Sequence, residues 1–178
     1  MQPVLSSVLL RGLGALAGDP EIASVVTDSR EAGPGSLFVC IRGERVDGHD
    51  YALRALEAGA AGVVVQRPVP GVPPEKCVQV PDALDAMIRL GANYRALYSP
   101  LLAGVTGSVG KTTTKEFCYA VFSAFGKTLR TQGNQNNEIG MPNTLFRLDK
   151  SVEYAVVEMG MQGLGEIRTL TLAAKPAG

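Results

Sequence analysis

Thr106-Gly107-Ser108-Val109-Gly110-Lys111-Thr112-Thr113-Thr114 stands between an apolar run at residues 101–105 and a helix-compatible run at residues 115–125. The order is strand, glycine loop, helix. An anion needs this order, because glycines let the backbone come close and aim several N–H groups at it. The helix dipole adds partial positive charge at the same point. In such a loop Lys111 reaches the terminal phosphates of a nucleotide and the Thr112 hydroxyl ligates Mg²⁺. The general phosphate-loop pattern has a glycine five residues before Gly110, where this chain has Val105. The stretch fits a shorter form, Gly-x-x-Gly-Lys-Thr, whose specificity comes from the strand before it and the helix after it; the plainer alternative is a glycine-rich strand-to-helix turn with an exposed lysine.

Composition sets the outer bounds. The chain has 178 residues, room for one large domain or two small ones. Apolar residues make up 46%, enough for a core, and 17 basic residues balance 17 acidic ones. This balance argues against a nucleic-acid groove or a basic membrane patch. No 18-residue apolar run is present, so no transmembrane helix is expected. The N-terminus lacks a signal-peptide layout, which points to an uncleaved cytoplasmic start. Cys40, Cys77 and Cys118 are far apart, odd in number and without metal spacing, as in a reducing compartment. They read as small buried apolar residues. With His49 as the lone histidine, a histidine-based zinc site is not expected.

In the first hundred residues, 6–17 read as a weak helix or entry segment. Short strands are expected at 25–27, 37–41, 62–65 and 77–80, and 37–41 is too short and too β-branched for a helix. Asp50 is placed to cap a helix over 51–58 that stops at Gly59. Residues 68–74 are proline-rich and irregular. A helix with Leu84, Met87, Ile88 and Ala92 on one stripe runs from Pro81-Asp82 to Tyr98-Ser99-Pro100. Its end sets the expected domain boundary, 1–99 and 100–178.

The second part repeats strand and helix. Strands are expected at 101–106, 128–130 and 154–159, and helices at 111–125, 142–148 and 166–174. Pro142 opens the second of these helices, where its missing N–H does no harm. Alternation of this kind means a parallel sheet with right-handed crossovers. The expected fold is therefore α/β: a small N-terminal α/β domain, then an incomplete parallel-sheet domain carrying the phosphate loop. Three parallel strands leave an edge unpaired. The chain reads as a fragment, or as one whose sheet a partner completes.

The triphosphate of a nucleotide needs a divalent metal, and Thr112 supplies one ligand. The second is normally an acid at the end of a neighbouring parallel strand. Glu158 closes the run Ala155-Val156-Val157 and stands at that place, as that acid or as a solvated strand end. Ligands of open parallel sheets lie beyond the carboxyl ends of the strands. Lys111, Thr112 and Glu158 should therefore converge, with Lys111 and Glu158 as candidate catalytic residues and Thr112 and Glu158 as candidate metal ligands. The run Gly133-Asn134-Gln135-Asn136-Asn137-Glu138 sits on the same rim, as a sugar- or peptide-binding amide cluster or an ordinary Asn-rich turn. In the first part, Thr27-Asp28-Ser29-Arg30 and the loop from Arg42-Gly43 to Asp47-Gly48-His49 each follow a strand. They offer donors for a diphosphate, or form solvated loops with an Arg–Asp surface pair.

With these residues placed, the chain resembles the Mur ligase family of peptidoglycan synthesis. Beyond the phosphate loop, the matching stretches are Thr27-Asp28-Ser29-Arg30, Pro34-Gly35-Ser36-Leu37-Phe38-Val39 and Asp47-Gly48-His49-Asp50. The run from Gly133 to Pro142, Glu158-Met159-Gly160 and Gly165-Glu166-Ile167 complete the set. Asn136-Asn137-Glu138-Ile139-Gly140-Met141-Pro142 points to the type that adds D-alanyl-D-alanine to UDP-N-acetylmuramoyl-tripeptide. The resemblance implies a UDP-sugar-binding first domain, a central ATPase domain and a third domain acting as a lid. It implies that ATP phosphorylates the tripeptide carboxylate and that the amine of D-alanyl-D-alanine attacks the acyl phosphate. By position, Gly107, Ser108, Val109, Gly110, Lys111, Thr112 and Thr113 hold ATP, and Thr112 and Glu158 hold Mg²⁺. Asn134 and Asn137 face the cleft, and Ser29, Arg30, Gly43, Asp47, Gly48 and His49 touch the UDP-sugar.

One departure stands out: many relatives have Asn-His soon after Glu-Met-Gly, where this chain has Met161-Gln162-Gly163. The family's second-metal lysine, its adenine contacts and its third domain are expected beyond Gly178, so this chain alone is not expected to complete the ligation. Other readings are a non-catalytic nucleotide- or UDP-sugar-binding module, another type of Mur ligase, and an unrelated kinase or NTPase. The last leaves the first hundred residues without a role.

Overall fold

The computed structural model describes residues 1–161 and 163–177. The chain forms two compact units, Met1–Met87 and the part from Ile88 onward. The first opens with β1 (Val4–Leu5), which pairs antiparallel with β2 (Glu21–Ile22). Between them α1 (Ser6–Leu9) is a single turn, much shorter than the helix that 6–17 could form. Gly12 and Gly18, with φ of 77° and 75°, bend the chain back toward β2. Asp19 fixes the return by accepting from the Ser6 hydroxyl and from the backbone N–H and hydroxyl of Ser7.

The expected strands then form a four-stranded, wholly parallel sheet in the order β3 (Ser24–Val26), β4 (Ser36–Val39), β5 (Gly62–Val65), β6 (Cys77–Gln79). Every residue of β4 and β5 is buried, as in a sheet covered on both faces. One face packs Val26, Phe38, Cys40, Val63 and Val65 against Ala52, Ala55 and Ala60. Ala52 and Ala55 belong to α2 (Ala52–Glu57), the crossover between β4 and β5. Asp50 does not cap α2. A 3₁₀ turn, Gly48–Tyr51, leads into that helix, and Asp47 caps the turn by accepting from the His49 N–H.

Helix α3 (Ala83–Arg95) carries the chain from one unit to the next. The units divide within it, earlier than the end of the helix, because its second half belongs to the later core. There Tyr94 is fully buried, meets the Phe146 ring edge-on at 5.8 Å, and donates to the Leu148 carbonyl. The second unit holds β7 (Leu101–Val105), α4 (Lys111–Ser123), β8 (Thr128–Arg130), α5 (Gly140–Leu145), β9 (Tyr154–Glu158) and α6 (Glu166–Ala174). Its three strands are parallel in the order β7-β9-β8, so the last in sequence lies in the middle. The β7–β9 register pairs Val105 with Glu158, which brings the glycine loop and the acidic strand end side by side. Helix α5 starts at Gly140 rather than Pro142, which still falls in its first turn. No helix among the described residues is long and apolar enough to cross a membrane.

Candidate functional site

The loop between β7 and α4 has the shape an anion requires. Gly107 and Gly110 take φ of 140° and 81°, conformations that side chains with a Cβ rarely adopt. Among the described residues, the N–H groups of residues 107–113 donate to no acceptor within the chain. They stand at the N-terminus of a 13-residue helix, where the dipole is positive. The Lys111 ammonium folds back over the loop and donates to the Gly107 carbonyl at 2.7 Å. Val109, at the tip, is almost fully exposed. Thr113 and Ser108 lie exposed on the same loop and first turn.

Glu158 lies beside that turn and is buried. Its Oε2 accepts from the Thr112 hydroxyl at 3.2 Å and lies 3.5 Å from the Lys115 ammonium. Its Oε1 accepts from the Asn136 amide at 2.9 Å. Its backbone N–H donates to the Thr131 hydroxyl at 3.0 Å. Thr112 and Glu158 thus meet across 46 residues of sequence, as the strand pattern requires. Both present hard oxygen donors of the kind that suits Mg²⁺.

Sequence reasoning missed Lys115. It is buried at 2% exposure, and its second anionic neighbour is Glu116 at 3.4 Å. Glu116 in turn pairs with Arg130, whose guanidinium lies 3.9 Å from the centre of the Tyr119 ring. Thr112 and Lys115 are three apart on a helix and therefore share a face. That spacing is the one signal in the sequence, and it does not reveal burial. The rest of α4 faces outward enough to leave Phe117 and Val121 exposed, and Phe125 just beyond its end is exposed too.

The amide cluster divides by role. Asn136 reaches Glu158, and its carbonyl accepts from the Gly160 N–H at 2.8 Å. Asn137 Oδ1 accepts from the Gly140 and Ile139 N–H groups, so it caps the entry to α5. Asn134 is exposed, and its carbonyl accepts from the Asn136 N–H. Gly140 sits so close to this loop that a Cβ would lie 2.4 Å from the Gln135 Cα. Gly140→Ala should therefore destabilise the chain by about 1–3 kcal/mol. Urea unfolding measures this, and an unchanged midpoint would show that the loop gives way freely. A cleft of ≈ 240 Å³ opens between Lys111, Asn136, Glu138, Gly160 and Glu166. Of the stretch Met161-Gln162-Gly163, Gln162 lies outside the described residues.

In the first unit the loops after β3 and β4 leave the carboxyl ends of neighbouring parallel strands. Ser29 begins a 3₁₀ turn capped by Asp28, which accepts from the Arg30 N–H. The Arg30 guanidinium also lies on Asp28 and is largely exposed. It holds the Asp28 carboxyl down at about 2. The Gly43 N–H donates to the Val46 carbonyl, closing the next loop. A Cβ on Gly48 would come within 2.8 Å of the Ile41 backbone, so only glycine fits there. His49 is buried, with Nδ1 2.6 Å from Asp47 and Nε2 accepting from the Gln66 N–H. Both ring nitrogens are engaged within the unit, which makes His49 a clamp on this loop.

The Asp47 carboxyl is held well below its ordinary value of 3.8, first by the His49 N–H, then by the His49 ring and the Arg67 guanidinium. A carboxylate depressed in the folded state stabilises it above the unfolded value and loses that contribution as the pH falls through the folded one. The thermal midpoint should decline below about pH 4. Asp47→Asn should lower the midpoint at neutral pH and make that decline shallower. An acid profile parallel to the parent's would remove Asp47 from this account. Cys40 is buried beneath this loop, and desolvation pushes its thiol up to about 12, which makes it inert.

Known proteins match along both units. The model for the Mur ligase family catalytic domain fits residues 21–95, and that for the Mur ligase middle domain fits residues 105–177. The UDP-N-acetylmuramoyl-tripeptide–D-alanyl-D-alanine ligase of Synechocystis sp. is 46% identical over 163 residues, covering 90% of this chain and 36% of the relative. A crystal structure of MurF from Acinetobacter baumannii superposes with a TM-score of 0.86 at 33% identity, covering 98% of this chain and 39% of that one. The MurF ligase of Thermotoga maritima in complex with ADP gives 0.79 at 34% identity, covering 86% and 35%. The chain spans little more than a third of the length of the curated relatives it matches.

Proposed function

Because the chain belongs to the Mur ligase family, with MurF enzymes among its relatives and structural neighbours, we propose that it supplies the phosphate-binding part of an ATP-dependent ligase. The ligase joins D-alanyl-D-alanine to UDP-N-acetylmuramoyl-tripeptide in the cytoplasm. The observation that carries this reading is the 3.2 Å approach of Thr112 to Glu158 beside a loop whose N–H groups have no acceptor among the described residues.

In this reading, Gly107, Ser108, Val109, Gly110, Thr112 and Thr113 cradle the phosphates through backbone N–H groups. Lys111 leaves the Gly107 carbonyl and moves to the terminal phosphates. Thr112 and Glu158 hold Mg²⁺, which neutralises charge on the phosphates when bound. Asn136 orients Glu158 by donating to Oε1. The tripeptide carboxylate attacks the γ-phosphorus, releasing ADP and leaving an acyl phosphate. The amine of D-alanyl-D-alanine then attacks the acyl carbon, phosphate departs, and the amide loses its extra proton to solvent. Positioning and charge stabilisation account for the protein's share of such chemistry.

The first unit binds the UDP-sugar through the loops holding Ser29, Arg30, Gly43, Asp47, Gly48 and His49. Asn137 lines the cleft assigned to the substrate's far end, and Asn134 lies exposed on the same loop. Two structural facts support the first assignment: these loops share one rim of the parallel sheet, and the Arg30 guanidinium is solvent-facing. Calorimetry on this chain tests both halves. Saturable, Mg²⁺-dependent binding of ADP is expected, with separate binding of UDP-N-acetylmuramoyl-tripeptide. Absence of nucleotide binding in a folded sample would overturn the reading.

A further inference from the structure

We propose that Lys115 is an internal counter-ion for Glu158, balancing its charge until nucleotide arrives, so that the free chain takes up a divalent cation only together with nucleotide. The proposal rests on the nucleotide reading above and adds a residue that reading does not use. The Lys115 ammonium lies 3.5 Å from the same Glu158 oxygen that faces Thr112. Both side chains are nearly inaccessible, at 2% and 3%. Water therefore screens this pair poorly.

A divalent cation entering the loop without nucleotide meets an unfavourable set of charges. Its one buried carboxylate, Glu158, is already paired. The Lys111 ammonium lies over the loop on the Gly107 carbonyl, and the helix N-terminus adds further positive potential. Glu116, the other anion near Lys115, is shared with Arg130. The phosphates of a nucleotide reverse this balance, because they bring several negative charges to the side opposite Glu158. Packing alone does not explain a lysine here. A methionine of similar length fills the same space without the cost of burying an ammonium.

The test is Mn²⁺ binding to the whole chain by electron paramagnetic resonance, with and without ADP. The parent chain should bind Mn²⁺ at least about tenfold more tightly with ADP than without it. Lys115→Met should bind Mn²⁺ at least about tenfold more tightly than the parent when ADP is absent. Lys115→Gln, which keeps hydrogen-bond donors without the charge, should do the same, and Lys115→Arg should behave as the parent. Neutral variants that bind the free metal no more tightly than the parent overturn the proposal while leaving the nucleotide reading in place. A parent chain that binds Mn²⁺ equally with and without ADP also overturns it, whether or not the variants fold. Failure of the folded parent to bind ADP at any metal concentration overturns the nucleotide reading and this proposal together.

Discussion

Glu158→Ala should destabilise the second unit by about 3 kcal/mol and abolish the Mg²⁺ dependence of nucleotide binding. The first effect follows from what the carboxylate leaves behind. Lys115 would stay buried with Glu116 as its remaining anion, and Asn136 and Thr112 would lose their acceptor. Breaking a buried pair from one side is among the costliest single changes, because the other charge remains without compensation. The lower end of that range applies because Glu116 still lies 3.4 Å from Lys115. The second effect follows from the loss of one of the two hard oxygen donors that meet at this point. Urea unfolding reads the first effect as a shifted midpoint with an unchanged slope. Calorimetry with ADP, in Mg²⁺ and in chelator, reads the second. Glu158→Gln keeps the shape and an acceptor while removing the charge, so it should retain the part of the first effect that comes from Lys115. A Glu158→Ala midpoint equal to the parent's would show that the buried pair does not hold this corner together.

Lys111→Ala should weaken binding of ADP–Mg²⁺ by roughly a hundredfold, the scale of a charge-assisted hydrogen bond of about 3 kcal/mol. It should leave stability within about 0.5 kcal/mol, because the side-chain bond that Lys111 makes among the described residues is exposed and ends on a loop carbonyl. Binding of UDP-N-acetylmuramoyl-tripeptide should be largely retained, since the loops assigned to its UDP-sugar belong to the first unit. Loss of both ligands together in a folded variant would break the separation of roles between the units. Equal affinity for ADP–Mg²⁺ in variant and parent would remove Lys111 from the phosphate site.

Particular elements show how far the chain could be read in advance. Residues 62–65 and 154–158 are short, apolar and β-branched, and both are strands. Gly59 and Gly110 mark a helix end and a helix start, because both need a left-handed backbone. Such signals are local, and local conformation follows them. The readings that failed were also local in form, but a more distant partner decided them. Asp50 has the composition of a cap, yet Asp47 takes the role because its carboxylate also binds His49 and Arg67. Residues 6–17 have enough apolar content for a helix. Asp19 and the pairing of β1 with β2 stop it after one turn.

The alternation of strand and helix, the glycine loop ahead of α4 and the acid at the tip of β9 are all legible in the residues alone. Each depends on residues within a few positions of one another, where side-chain period and glycine's freedom settle the backbone. Packing between distant segments sets β9 between β7 and β8, buries Lys115 against Glu158, and makes Asn137 a cap while Asn136 reaches the carboxylate. Those outcomes depend on which distant surfaces exclude water together. A buried charge takes the counter-charge that packing brings to it, and no spacing along the chain records that choice.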